Sequence, residues 1–314
     1  MYAYILVPPQ GHEELAAAEF HAFTGCEAVG RLGIAPVAVD IRRAALISTC
    51  THIAASGSNL QELCDEIRAK SLAWEGFRIE HFCPSPDYKL TSLEPVIAVA
   101  DAITGRPNLT HPSVRLGLVA TSKLWTIGPI VSEYMPDWPS HENRPHFFSG
   151  SLPTRFSRAM VNLVASPGDT LIDPCCGAGV ALIEALAAGV QAVGCDINPK
   201  MIAQAAENLT ALGLPRRLFV ADARRLGAGY DAAILDLPYG RNVCIHDGLY
   251  ADLLRNLATI ARRVAVVAAI RLTEEFTASA GLRLLRHVRV PKNNLVRHLH
   301  LLAPDTACPS ELAR

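Results

Sequence analysis

The chain has no uninterrupted apolar stretch approaching the roughly 18 to 20 residues that a membrane-spanning helix requires, although half of its 314 residues are apolar and only 19% are charged. That combination is expected of a soluble globular protein. The apolar start, Met1 to Val7, is short, has no basic segment ahead of it and runs into Pro8-Pro9. It lacks the anatomy of a signal peptide, so the cytoplasm is the default expectation. The nine cysteines are odd in number and form no C-x-x-C pair and no Cys/His spacing of the zinc-site kind. This argues against a disulfide framework and against a metal site. Strong basicity is missing too: the formal net charge is −1, and charge alone would not suggest a nucleic-acid binder. Internal repeats and low-complexity segments are absent.

What is present is length enough for two domains with sizeable cores. A strand at Tyr2 to Val7 leads into a helix in which Ala16, Phe20 and Phe23 recur at helical spacing. A strand over Val37 to Ser48 precedes an amphipathic helix ending near Trp74, with Leu60, Leu63, Ile67 and Trp74 on one face and Ser58 and Gln61 as its capping box. A strand at Phe77 to Cys83, a helix at Leu93 to Thr104, and strands at Val114 to Thr121 and Lys123 to Val131 complete one or two α+β units. The stretch Ser132 to Arg144 mixes prolines, acids and aromatics without periodicity and reads as a linker. It divides the chain into domains at residues 1–135 and 136–314. Residues 1–150 hold 11 Lys and Arg against 16 Asp and Glu (11 − 16 = −5), and residues 151–314 hold 18 against 14 (18 − 14 = +4). The basic half is the second.

In that second half the pattern is regular. A helix at Thr154 to Val164 is followed by strands at Thr170 to Asp173, Ala192 to Asp196, Leu218 to Asp222, Ala232 to Asp236 and Val264 to Ile270, separated by helices such as Val180 to Ala188 and Pro199 to Leu212. Alternation of this kind predicts an α/β fold with a mostly parallel sheet. Strands near Leu284 to Val290 and His298 to Leu302 predict an antiparallel hairpin at the sheet edge.

Four strands thus end in an aspartate, and ligands of open α/β sheets bind beyond those ends. The turn Asp173-Pro174-Cys175-Cys176-Gly177-Ala178-Gly179 has the glycines, Gly177 and Gly179, that let backbone approach a ligand, but it opens with a carboxylate and lacks a full G-x-G-x-x-G. An acid would repel a pyrophosphate. S-adenosylmethionine, which carries an ammonium and a sulfonium and no phosphate, suits the turn better. Asp196 lies 23 residues beyond Asp173 (196 − 173 = 23), near the interval at which an acid accepts ribose hydroxyls. Asp222 is placed to accept from the adenine amino group, with Ile197 as a wall for the ring. Cys175 belongs to the same loop, and packing rather than nucleophilic attack is the expectation for it and for Cys176.

At the end of the fourth strand stands Asp236-Leu237-Pro238-Tyr239-Gly240. An exocyclic amine on a base is a poor nucleophile because its lone pair is delocalised into the ring. The Asp236 carboxylate and the Leu237 carbonyl can accept its two N–H bonds and draw the nitrogen toward tetrahedral geometry. Pro238 stiffens the turn, and Tyr239 can stack on the flipped base.

These residues resemble the tRNA guanosine N2-methyltransferases that carry a THUMP domain. The likeness runs through Arg144-Pro145-His146-Phe147-Phe148-Ser149-Gly150, Arg158 to Leu163, Asp173 through Ala185, Asp196, Asp222-Ala223 and Asp236 to Gly240. It implies a Rossmann-like methyltransferase domain with S-adenosylmethionine as cofactor. It further implies cofactor contacts from Phe148, Ser149, Asn162 and Ala223, and a ferredoxin-like and THUMP-like first half that grips tRNA, with Arg106 to Leu116 as its closing segment. A guanine at position 10 is the favoured target over position 6, and a small protein partner or a homo-oligomer is left open. The acidic first half and Leu237, where the family commonly has proline, depart from the pattern. Two other readings follow from the residues themselves: methylation of an amino group on DNA adenine, rRNA or protein glutamine, and a non-catalytic RNA-binding protein that keeps the fold.

Overall fold

The computed structural model describes residues 1–85, 88–147, 151–227, 229–237, 248–292 and 295–306. They form two compact units, Met1–Met135 and Pro136–Arg314. No helix among the described residues is long and apolar enough to cross a membrane.

The first unit contains β1 (Tyr2–Leu6), α1 (Glu13–Thr24), β2 (Ala28–Val29), β3 (Leu32–Ala35), β4 (Ile47–His52), β5 (Ala55–Gly57), α2 (Leu60–Ala69), β6 (Phe77–Phe82), α3 (Glu94–Ala102), β7 (Val114–Ala120) and β8 (Trp125–Glu133). Its strands lie in the order β2-β3-β1-β4-β8-β7-β6, with β5 also on β8. Pairing is antiparallel except between β6 and β7. A single sheet therefore runs through the whole unit, joined at its middle by β4 and β8. Leu63 and Ile67 of α2 and Val99 of α3 pack with Phe77, Leu116, Leu118 and Ile127 into one core.

Two sequence expectations fail here for visible reasons. The strand expected from Val37 begins only at Ile47, because side chains occupy the backbone groups a ladder would use. The Tyr4 hydroxyl donates to Val37 O (2.7 Å) and accepts from Val39 N (2.9 Å). The fully buried Glu19 carboxylate accepts from Ala45 N (2.8 Å) and Leu46 N (2.7 Å). The capping box is displaced by one residue: Asn59 is the N-cap and accepts from Glu62 N at 3.0 Å, while the Glu62 carboxylate accepts from Ser58 N at 2.9 Å. Asn and Glu win over Ser and Gln because the charged acceptor makes the stronger reciprocal bond.

The second unit contains α4 (Trp138–His141), α5 (Thr154–Val164), β9 (Thr170–Asp173), α6 (Val180–Ala187), β10 (Gln191–Asp196), α7 (Pro199–Ala211), β11 (Leu218–Val220), a 3-10 turn (Ala223–Arg225), β12 (Tyr230–Asp236), α8 (Leu249–Ile260), β13 (Ala261–Ala268), α9 (Glu274–Ser279), β14 (Leu282–Lys292) and β15 (Leu295–Pro304). The strand order is β11-β10-β9-β12-β13-β15-β14. The first five strands are parallel, and β15 runs antiparallel to both β13 and β14. This is a Rossmann-like sheet closed by an antiparallel hairpin, as the sequence predicts. The second strand of the hairpin inserts beside β13 and leaves β14 at the edge. Connections leave β9 in opposite directions toward β10 and β12, so the crevice of the domain opens beyond the ends of those strands.

The stretch read as a linker is partly structured. Its first residues finish β8, and Trp138, His141 and Arg144 are buried within the second unit. Its lack of periodicity reflects a segment anchored by single side chains rather than by a helical face.

Candidate active site

Asp173, Asp196 and Asp236 end β9, β10 and β12 as expected, on both sides of the point where the strand order reverses. Asp222 instead stands two residues beyond the end of β11 and caps the 3-10 turn, accepting from Arg224 N at 3.0 Å. Arg224 also closes on its carboxylate through Nε (2.9 Å) and Nη2 (2.6 Å). This side-chain pairing, with the Arg224 N–H beside it, holds Asp222 down at about 2.

The loop after β9 is built for close approach. Gly177 and Gly179 have φ of +53° and +85°, and a Cβ on Gly177 would point into open space. Gly177 N donates to Asp196 Oδ2 (3.0 Å) and Asn198 N donates to Oδ1 (2.9 Å), so Asp196 shapes the loop as well as facing the crevice. A Cβ on Gly194 of β10 would come within 2.3 Å of Leu182 Cδ1, which is how α6 sits close against the sheet.

Asp173 is 5% exposed and receives the Cys175 N–H at 3.3 Å. Burial pushes its carboxyl up to about 8 against the pull of that N–H, and the charges of Asp236 and Asp196 push it further the same way. Burial, reinforced by Asp173, also raises the thiols of Cys175 and Cys176 and takes Cys195 up to about 12. Protonated thiols do not attack, which agrees with a packing role. The charges of Asp196 and Asp236 around a loop whose own Asp173 gives up its proton more readily beside a cation would repel a pyrophosphate and favour a cation. Ile197, 68% exposed just past the end of β10, adds an apolar surface beyond the strand. The carboxylates, the open loop and the exposed isoleucine suit S-adenosylmethionine, and Asp173, Asp196, Asp222, Ile197 and Ala223 are the residues that could hold it.

Leu237, 1% exposed, donates its N–H to Val267 O (2.9 Å), which fixes the backbone just past β12. Asn162 is buried in α5. Phe148, Ser149, Pro238 and Tyr239 lie outside the described residues.

Two residues near the site escaped the sequence reading. Asn208 of α7 is fully buried. Its Oδ1 accepts from His146 N (2.8 Å), and its Nδ2 donates to His146 O and to Ala178 O (both 2.9 Å). It thereby ties the cofactor loop to the segment leading into Phe148 and Ser149. The signal was readable: an asparagine shares a helix face with Ala205 and Leu209, where apolar residues belong. Tyr250, at the start of α8, has its hydroxyl raised by burial and by the Asp236 charge. No sequence pattern marks it.

Beneath the loop, Arg158, 1% exposed, binds Asp137 Oδ1 (2.8 Å) and Glu184 Oε2 (2.9 Å), and His141 Nδ1 meets Glu184 Oε1 at 2.7 Å. Asp137, His141 and Glu184 come together closely enough to ligate a metal. The guanidinium already supplies the positive charge there.

Fold and crevice define a Rossmann-like transferase domain for a cationic, phosphate-free cofactor. Residues 141–300, just over half of the chain, match the family described as RMKL-like, methyltransferase domain. The chain belongs to this family, and its second unit is an S-adenosylmethionine-dependent methyltransferase domain. A tRNA (guanine(10)-N2)-dimethyltransferase of Methanothermobacter thermautotrophicus is 34% identical over 198 residues, 59% of this chain and 58% of that one. The enzyme of the same name in Pyrococcus abyssi is 28% identical over 224 residues, 65% of this chain and 67% of that one. The match thus spans little more than half of the first relative. The crystal structure of TrmN from Thermus thermophilus is 22% identical, covering 96% of this chain and 99% of that one, with a TM-score of 0.49.

Proposed function

We propose that the protein transfers a methyl group to N2 of a guanine in tRNA, at position 10 in preference to position 6. Residues 1–135 contribute to holding the RNA. The observation that carries the reading is Asp236: a strand-end carboxylate whose charge acts on Asp173 in the cofactor loop, one strand away. The names of the two archaeal relatives point to the same substrate.

S-adenosylmethionine supplies, when bound, an electrophilic methyl on its sulfonium. Asp173 holds the ammonium, Asp196 the ribose, and Asp222 with Ala223 and Ile197 the adenine, while Cys175, Gly177 and Gly179 give the loop its shape. Asn162, Phe148 and Ser149 complete that side. Asp236 accepts an N–H of the guanine amine and takes up the proton it sheds, and Leu237 offers its carbonyl to the other N–H. Pro238 and Tyr239 stiffen the turn and stack on the base.

Unmodified tRNA incubated with radioactive cofactor should acquire label as N2-methylguanosine or N2,N2-dimethylguanosine, identified by mass spectrometry of the nucleosides. Label in rRNA, DNA or protein but not in tRNA would overturn the reading.

Asp173 also fixes a pH dependence. Its folded carboxyl, raised to about 8, keeps its proton at neutral pH, and the cofactor ammonium favours the ionised form, so binding expels a proton. Affinity for S-adenosylhomocysteine should rise by up to about tenfold per pH unit between roughly 6 and 8. It should flatten above that, where the ligand's own α-amino group also begins to deprotonate. For the ligand-free protein the sign is opposite: the folded state alone keeps this proton between about pH 4 and 8, so Asp173's contribution to stability falls as pH rises through that window. Calorimetry across pH with Asp173→Asn as reference checks both, since the variant should lose the slope.

A further inference from the structure

Phosphate binding by this protein poses a problem of charge. If tRNA is the substrate, as proposed above, its backbone needs cations, yet residues 1–150 carry a balance of −5 and the surplus of +4 lies in residues 151–314. Many arginines of the second unit are already committed. Arg158 is buried with Asp137 and Glu184, Arg144 and Arg297 are buried, and Arg263 pairs with Asp169 at 2.7 Å.

A groove of about 490 Å³ between the 3-10 turn and α8 differs in exposure: its arginines face solvent, two of them paired and one, among the described residues, not. It is lined by Arg224, Arg225, Asp252, Arg255, Asn256 and Thr259, and with Asp222 behind Arg224 three cations stand against two carboxylates, leaving the charge of Arg225 in surplus. Arg255 is held from one side by Asp252 at 2.7 Å, and Arg224 by Asp222 at 2.6 Å, which fixes their direction. Arg225 is exposed, and among the described residues it takes part in no ion pair. The Asn256 amide donates to Leu226 O (2.9 Å), tying α8 to the end of the turn. Among the described residues no apolar or aromatic side chain lines the groove, which disfavours stacking of a base and favours polar anions. The turn that forms one wall also carries Asp222 and Ala223, the residues proposed above for the adenine.

We infer that the Arg224–Arg225–Arg255 groove is a docking surface for the RNA phosphate backbone, laid directly beside the cofactor's adenine site. Backbone contacts here set the register of the substrate, while base contacts at Asp236 select the reacting nucleotide.

The test uses the full-length protein with fluorescently labelled unmodified tRNA, followed by anisotropy over a salt series. Arg225→Glu with Arg255→Glu should weaken tRNA binding at least tenfold and flatten the slope of log affinity against log salt by about one per arginine. S-adenosylhomocysteine affinity and the melting temperature, which report an intact domain, should stay unchanged. Inorganic phosphate at millimolar concentration should compete poorly with tRNA; efficient competition would make the groove a free-phosphate site and overturn the assignment. An unchanged tRNA affinity and salt slope in the double variant would also overturn it. Wild-type methyl transfer, measured in parallel, separates this failure from that of the proposed function: labelled tRNA with an indifferent groove leaves the activity standing and removes only the groove.

Discussion

Asp236→Ala should reduce methyl transfer to tRNA by about a thousandfold, with S-adenosylhomocysteine affinity held within a few-fold. Removing one preorganised hydrogen-bonding group from a reacting centre costs roughly a hundred- to a thousandfold, and Asp236 carries two tasks, accepting an N–H and taking a proton. Asp236→Asn should lose about a hundredfold, because its amide keeps one acceptor but cannot take the proton. A second readout follows from the neighbouring acid. Asp236 is one of the charges that raise Asp173, so without it the Asp173 carboxyl should ionise at lower pH, and the rise in cofactor affinity should move to lower pH with it. A purely structural defect would not produce that shift. Transfer rates within tenfold of wild type would remove Asp236 from the acceptor site.

Asn208→Ala should raise the dissociation constant for S-adenosylhomocysteine at least tenfold while lowering kcat at saturating cofactor by no more than a few-fold. The side chain makes three hydrogen bonds to backbone in a fully buried position. Leaving such partners unsatisfied costs about 1–3 kcal/mol each, and a loss of roughly 3 kcal/mol lowers the melting temperature of a unit this size by about 6–12 °C. Asn208→Asp separates positioning from stability: it retains the acceptor for His146 N and loses both donors, so the Ala178 tether goes while one bond to His146 stays. Glu207→Ala, which removes only the surface contact to His146 Nε2, should leave cofactor affinity unchanged. Equal cofactor affinity in Asn208→Ala and wild type would show that the tether does not position the loop.

The sheet of the second unit was legible because each of its parallel strands is a short apolar run ended by an acid or a turn. Thr170–Asp173 and Thr154–Val164 coincide with the expected bounds. The first unit was harder to read. Whether Val37 to Leu46 pairs as a strand depends on Tyr4 and Glu19, more than 20 residues away in sequence, and no local pattern encodes that. The same limit applies to the site. Asp173, Asp196 and Asp236 are strand-end residues and announce themselves by position. Asp222 was displaced by two residues because β11 stops at Val220, where the chain turns into the 3-10 segment. Asn208 acts on a loop 30 residues upstream, and Tyr250 feels the charge of the acid that ends β12. Their partners are fixed by the topology of the sheet.

The joint between β4 and β8, where Thr49 faces Glu133 and Cys50 faces Ser132, bears on how the chain acquires its structure during synthesis. The strand that unites the two halves of the first sheet is the last one made in that unit, so residues near 50 must wait for residues near 130 to leave the ribosome. Non-local pairing of this kind slows folding and leaves strand edges open meanwhile. The N-terminal unit therefore matures late, as the first strands of the methyltransferase unit are being translated, and a chain cut ahead of Trp125, where β8 begins, would keep β4 as an unprotected, aggregation-prone edge.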